Sequence, residues 1–357
     1  MVGSFLKKGE NSPKGQQYNK PNLDNNFKGY RGRNAVYSAL DLGTNNCRLL
    51  VATPTSAGFR VIDSFSRIVK LGEGLTRTHR LSEESMDRAI KAIQVCANKI
   101  SKRGVTHMRS VATEACRFAD NSGDFVSRVL NETGIALDVI SSNEEARLAV
   151  MGCQTLFNPK INKAVVFDIG GGSTELIGVE VMEDKSLKIL ATTSMPLGVV
   201  RLAEALNGDK VNSKDYQDIV LTVRERLLAF DKELNLGDAF EKGEVQLLGS
   251  SGTVTTLASI QLGLNVYDRS KVDGCIIPIN EMRTLTHNVG HMTWAERVSC
   301  GCIGEERANM VVPGCAIFEA ILDMWPLVHI KIADRGIREG IIRSIMNQIA
   351  GRNSVYK

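Results

Sequence analysis

The chain has 357 residues, 43% of them hydrophobic, and a formal net charge of +4. That length predicts about two domains with substantial cores; no run approaches the roughly 18 apolar residues of a membrane span, and MVGSFLKKGENSPKG lacks the apolar centre of a secretory signal peptide. Nor does the charge argue for a nucleic-acid partner: residues 1–33 hold seven Lys or Arg against two acids, whereas the remainder carries 37 basic and 38 acidic residues.

Residues 1–33, rich in Asn, Gly, Lys and Pro, are expected to form a disordered basic tail. Beyond it, AVYSALD, CRLLVATP and GFRVIDSFSRIV predict three strands in an antiparallel meander, joined by DLGTNN and TSAG. In LSEESMDRAIKAIQVCANKISKRG, Met86, Ala89, Ile90, Ile93, Ala97 and Ile100 recur at helical spacing, with Ser82 placed to cap and Glu83 and Glu84 in the first turn. A strand at THMRSVAT, a helix near 122–133, a strand at IALDVIS and a helix from 143 follow. The plan then restarts. KAVVFD, TELIGVEV and LKILATTSMPL predict a second meander, followed by a helix over 213–236, the strand EVQLLG and the helix TVTTLASIQLG. SALDLGTNNCRLLV aligns with VVFDIGGGSTELIG: an apolar strand ends in Asp, an aliphatic residue and Gly, then small polar residues lead into a second strand. Two such turns imply an internal duplication and two lobes flanking a cleft: 34–135, 136–333, and a C-terminal segment 334–357.

A tight turn of Gly, Ser and Thr points several backbone N–H groups at one place, and glycine lets a phosphate approach closely. An Asp at the strand end would repel bare phosphate, but it suits a Mg²⁺ (or Mn²⁺) ion held beside substrate phosphates. Asp41 with Gly43, Thr44 and Asn45 is therefore expected to face Asp168 with Gly170, Gly171, Gly172, Ser173 and Thr174. A third loop, GSSGTVTT, opens a helix with Ser251, Gly252 and Thr253, another anion site. No P-loop and no dinucleotide fingerprint occurs. The eight cysteines are scattered, and Cys300-Gly-Cys302 has the wrong spacing for a zinc knuckle; reduced thiols and a cytoplasmic protein are expected. His287 and His291 share a helix face without the rest of a ligand set and read as structural.

These motifs resemble those of the exopolyphosphatase and guanosine pentaphosphate phosphatase family, within the superfamily of acetate and sugar kinases, heat-shock chaperones and actin. The resemblance rests on VYSALDLGTNNCRLLVA, KLGEGL, SVATEACR, SNEEARLAVMG, VVFDIGGGSTELI, PLGVVRL, GSSGT, ERANMVVPGCAIFEAIL and DRGIREGII, and covers nearly everything from 35 to 345. It implies an α/β fold of two duplicated ribonuclease-H-like (actin-like ATPase) lobes, with the last helix returning toward the first lobe. The likeness is to the short two-lobed form, without the C-terminal helical region many members carry. It implies hydrolysis of a terminal phosphoanhydride by direct water attack, on inorganic polyphosphate or guanosine pentaphosphate, and a homodimer by family habit.

For that chemistry Glu114 in SVATEACR is the implied base. Arg117, one turn on, is a bidentate phosphate binder or a surface arginine. Glu144 or Glu145 joins the catalytic or metal shell, with Glu145 aligning better as a catalytic group and Glu144 as a metal candidate beside Asp41 and Asp168. Arg67 and Lys70 flank a possible approach for a polyanion. ERANMVVPG and DRGIREG are expected to serve packing, with Arg335 or Arg338 as alternatives at the cleft. Two other readings stay open: an ATP-dependent small-molecule kinase, and a non-catalytic nucleotide-binding protein.

Overall fold

The computed structural model describes residues 35–183, 186–206 and 211–351; the basic tail lies outside them. Strand β1 (Tyr37–Leu42) is buried along nearly its whole length, as a central strand must be. It pairs antiparallel with β2 (Asn46–Thr55), which pairs antiparallel with β3 (Gly58–Ile68). On its other side it runs parallel to β4 (His107–Ala112), and β4 runs parallel to β5 (Asp138–Val139). The sheet order is β3-β2-β1-β4-β5.

The second half repeats this plan. β6 (Lys163–Ile169), β7 (Thr174–Val181) and β8 (Leu187–Met195) form the meander, and β9 (Val245–Ser250) lies parallel to β6. β11 (His329–Ala333) runs parallel to β9, with β10 (Ile276–Pro278) added antiparallel at the edge. The turns match at atomic detail: the Gly43 N–H donates to the Asn46 carbonyl at 2.9 Å, and the Gly170 N–H to the Ser173 carbonyl at 2.9 Å. The expected α/β fold of two duplicated, actin-like lobes is present.

Most predicted elements fall where the periodicity placed them. The first long helix is Glu83–Lys102, and the Ser82 hydroxyl accepts from the Ser85 N–H. IALDVIS is the exception, since only Asp138–Val139 pairs as strand. Ile135, Leu137 and Ile140 are buried all the same, so the apolar pattern there reports burial and not pairing.

Two helices join the lobes. Ser142–Cys153 follows the first sheet, yet buries Ala146, Val150 and Cys153 with Ala164, Val166, Ile177 and Val179 of the second. Ile337–Ile349 follows the second sheet, yet buries Ile341, Ile342 and Ile345 with Tyr37, Ala39, Leu50 and Ala52 of the first. Each lobe's last helix thus covers the other lobe's sheet. Where they cross, glycines replace side chains: a Cβ on Gly340 would strike the Leu148 backbone, and one on Gly152 the Gly336 backbone. All eight cysteines are unbridged. Among the described residues no helix is long and apolar enough to cross a membrane.

Candidate active site

The central strands β1 and β6 both end at the interlobe cleft, so the turn that leaves each is delivered to the same space. The cleft has a volume of about 790 Å³ and is lined by Asp41, Gly43, Thr44 and Asn45 from the first lobe. Asp168, Gly170, Gly171, Gly172 and Ser173 line it from the second lobe, and Ser251, Gly252 and Thr253 close one side. The Ser251 hydroxyl caps the helix Gly252–Gln261 by accepting from the Val254 N–H at 3.0 Å, aiming the positive end of that helix at the cleft.

Glu114 sits where the two turns touch. It opens the short helix Glu114–Phe118 directly after β4. Its Oε2 accepts from the Thr44 hydroxyl at 3.0 Å, and its Oε1 lies 3.5 Å from Arg201 Nη1 of the second lobe. Gly172 has no side chain in the one direction where a Cβ would collide with the Glu114 carboxylate. Strand register explains the placement. Asp41 is level with Val111 and Asp168 with Ser250, so Glu114 and Thr253 stand three residues on at equivalent points of the two lobes.

The floor of the cleft is rich in carboxylates. Burial holds the Asp168 carboxyl up at about 7, with Glu145 and Asp41 adding to the rise and Arg48 opposing it. Glu145 is raised first by burial and then by Glu175, while Arg117 pulls it down. Burial also raises Glu175, against hydrogen bonds from the Ser173 and Ser194 hydroxyls at 2.6 and 2.8 Å. Asp41 is raised by burial and opposed by Arg48 and Arg338. Seven carboxylates, including Glu306 and Asp334, line the cleft against five arginines: Arg48, Arg67, Arg307, Arg335 and Arg338.

Several predicted site residues stand elsewhere. Glu144 does not reach the cleft: Arg109 Nη1 donates to it at 2.7 Å and Arg147 Nε at 2.7 Å, because neighbouring helix positions point about 100° apart. Glu145 faces the cleft instead. Arg117 is not a cleft residue either; its Nη1 donates to Glu145 Oε2 at 2.6 Å and to the Ile140 carbonyl at 3.0 Å. Thr174 is fully buried and donates to the Leu197 carbonyl at 2.7 Å, since strand alternation sends Glu175 into the cleft and Thr174 away from it. Lys70 is not among the lining residues, whereas Arg67 is. Arg335 and Arg338 belong to the cleft wall, not to packing alone.

Arg48, Glu175 and Arg201 carried no role in the sequence reading, and Arg307, in ERANMVVPG, was expected only to pack, whereas it lines the cleft. Arg48 and Glu175 had a usable signal, since each lies opposite its strand-end aspartate once the hairpin register is set: Asp41 with Arg48, Asp168 with Glu175. Arg201 and Arg307 lie in the motifs PLGVVRL and ERANMVVPG, but only tertiary packing shows that they reach the site. The His287 and His291 rings pack at a tilt with centroids 4.2 Å apart, and His291 packs on Tyr216.

Fold and site together define a duplicated actin-like α/β protein with paired strand-end turns facing one cleft. The profile of the Ppx/GppA phosphatase family matches residues 50–349, and the chain belongs to that family. A Haemophilus influenzae protein provisionally named an exopolyphosphatase is 28% identical over 319 residues, covering 88% of this chain and 93% of that one. The crystal structure of an exopolyphosphatase-like protein is similar with a TM-score of 0.80 and 26% identity, over 88% of this chain and 99% of its own. An Aquifex aeolicus PPX-GPPA enzyme gives a TM-score of 0.71 at 26% identity, over 87% and 99%. At the level of its family the chain is a phosphatase, and so a hydrolase.

Proposed function

We propose that the protein is an exopolyphosphatase that releases the terminal phosphate of inorganic polyphosphate by direct attack of water. The observation that carries this reading is the seat of Glu114, between the Thr44 hydroxyl of one turn and Gly172 of the other. A carboxylate at the meeting point of two anion-binding turns can orient a water on the phosphorus and take its proton. The new P–O bond forms to that water as the terminal anhydride P–O bond breaks, and the shortened chain leaves with the bridging oxygen. Backbone N–H groups of both turns and the cleft arginines bind and align the phosphoryl oxygens.

The strand-end carboxyls Asp41 and Asp168 would repel a polyanion when ionised unless a cation lay between them and the phosphates. Asp41 and Asp168 would hold Mg²⁺ or Mn²⁺ there, directly or through its waters. Among the described residues no three His, Cys, Asp or Glu side chains form a ready-made ion cage. Mg²⁺ takes one or two carboxylates and fills its shell with water and substrate oxygens. When bound, it supplies charge neutralisation over the transferred phosphoryl group.

The alternative substrate, guanosine pentaphosphate, draws on Tyr267, an aromatic residue lining the same cleft on which a purine could stack. Phosphate release measured in parallel on long-chain polyphosphate and on guanosine pentaphosphate, with and without Mg²⁺, tests both. Polyphosphate should give the higher kcat/KM and require the metal. Glu114→Gln should lower turnover about 10²- to 10⁴-fold while leaving KM nearly unchanged. Wild-type-like turnover in that variant would remove Glu114 as the base.

A further inference from the structure

We infer that Arg201, from the second lobe, is the positioning residue for Glu114 of the first, so that the base is aimed from both sides of the cleft. This inference rests on the hydrolase reading above. Arg201 grips both ends of the short helix that carries Glu114. Its Nη1 lies 3.5 Å from Glu114 Oε1, and its guanidinium stacks 4.8 Å from the Phe118 ring centroid. The same Nη1 donates to the Pro196 carbonyl at 3.4 Å. The two paired side chains are only 13% and 15% exposed, a setting in which charge and ring contacts are little screened by water.

Arg201 itself is fixed to the phosphate turn of its own lobe. It lies on the helix Val199–Ala205, whose first N–H groups donate back to that turn: Val199 to the Gly170 carbonyl at 3.0 Å, Val200 to Gly171 at 2.9 Å and Arg201 to Gly171 at 3.2 Å. Gly198 packs directly on the Gly171–Gly172 backbone. A second polar contact joins the same helix to the first lobe, where the Gly74 N–H donates to Glu204 Oε1 at 3.0 Å. Any ligand that shifts the 170–172 turn therefore shifts Arg201, and with it the carboxylate across the cleft. Thr44 holds one oxygen of Glu114 from its own lobe and Arg201 the other from the opposite lobe. The orientation of the base is thereby set by both lobes together.

The test is steady-state phosphate release from polyphosphate by wild type, Arg201→Met, Arg201→Lys, Glu114→Gln and the double variant Glu114→Gln/Arg201→Met, with thermal melting alongside. Misaiming a base by about 1 Å lowers kcat roughly 10²-fold, so Arg201→Met should lose about that much with KM nearly unchanged. Arg201→Lys, which keeps the charge but not the planar stack, should recover part of it. In the Glu114→Gln background the Arg201→Met substitution should lower kcat little further. A full second loss in the double variant, or a raised KM with kcat intact, would overturn the proposal by making Arg201 an independent substrate contact. Should Arg201→Met fail to fold, the same cycle run with Arg201→Lys decides it. A wild-type protein inactive on polyphosphate and on guanosine pentaphosphate would overturn the hydrolase reading itself; an active one indifferent to Arg201 overturns only this inference.

Discussion

Gly172 is demanded by space, not by backbone conformation. A Cβ at that position would meet the tip of the Glu114 side chain and the Thr44 hydroxyl. The glutamate tip can swing aside, so Gly172→Ala should fold and melt close to wild type yet lose about 10²-fold in kcat, the effect of a displaced catalytic group. A variant with normal turnover would show that Glu114 need not occupy this seat. Adjacent acids make the same point. Glu144 is spent on Arg109 and Arg147, whereas Glu145 is buried at the cleft with Arg117 behind it. Glu144→Gln should therefore leave kcat unchanged and destabilise by about 1 kcal/mol or less, the range for partly exposed ion pairs. Glu145→Gln should impair turnover, and equal kinetics for the two variants would contradict this division of roles.

The crossing of Ser142–Cys153 and Ile337–Ile349 is the element on which the two lobes depend. Gly340 meets the Leu148 carbonyl, an obstacle of backbone that no rotamer change relieves. Gly340→Ala should destabilise by about 1–3 kcal/mol through overpacking. Gly123, in the helix Ser122–Thr133, has open space around its Cβ direction and no positive φ. The same change there should stabilise by roughly 0.5–1 kcal/mol, from helix propensity and a less flexible unfolded chain. Denaturant midpoints of the two variants check the pair, and a shift of the same sign in both would refute the crossing argument. The first of these helices was expected from position 143 on. The return of the last toward the first lobe was implied by the family resemblance, as the packing of Ile341, Ile342 and Ile345 on Tyr37, Ala39 and Leu50 bears out. That Ser142–Cys153 would cover the second sheet was not expected. An amphipathic stripe records that a face is buried and is silent about its partner.

For the whole molecule, the buried carboxylates couple stability to pH and to the proposed metal. The Asp168 carboxyl is held up at about 7 in the folded protein, against roughly 3.9 in an unfolded chain. The folded state therefore binds this proton more tightly, so the stabilisation is complete below about pH 4 and is lost as pH rises through 7. In the presence of a chelator the Tm should fall across that interval, and added Mg²⁺ should raise it more at pH 8 than at pH 6. Calorimetry showing a metal-free Tm that climbs from pH 6 to 8 would contradict this. On the same scale the limits of the sequence are plain. The two meanders, the helices Glu83–Lys102 and Ser213–Leu234, the duplication and the two aspartate turns follow from local periodicity and from glycine and aspartate chemistry, all of which are written along the chain. The strands β10 and β11 and the helix Val311–Met324 were not read from it. Which way Glu144 or Thr174 points, that Arg117 serves Glu145, and that Arg201 reaches Glu114 from the opposite lobe depend on two sheets meeting through crossed helices. Those contacts join residues far apart in the chain, and no local pattern encodes the distance between two lobes until both have folded and closed on each other.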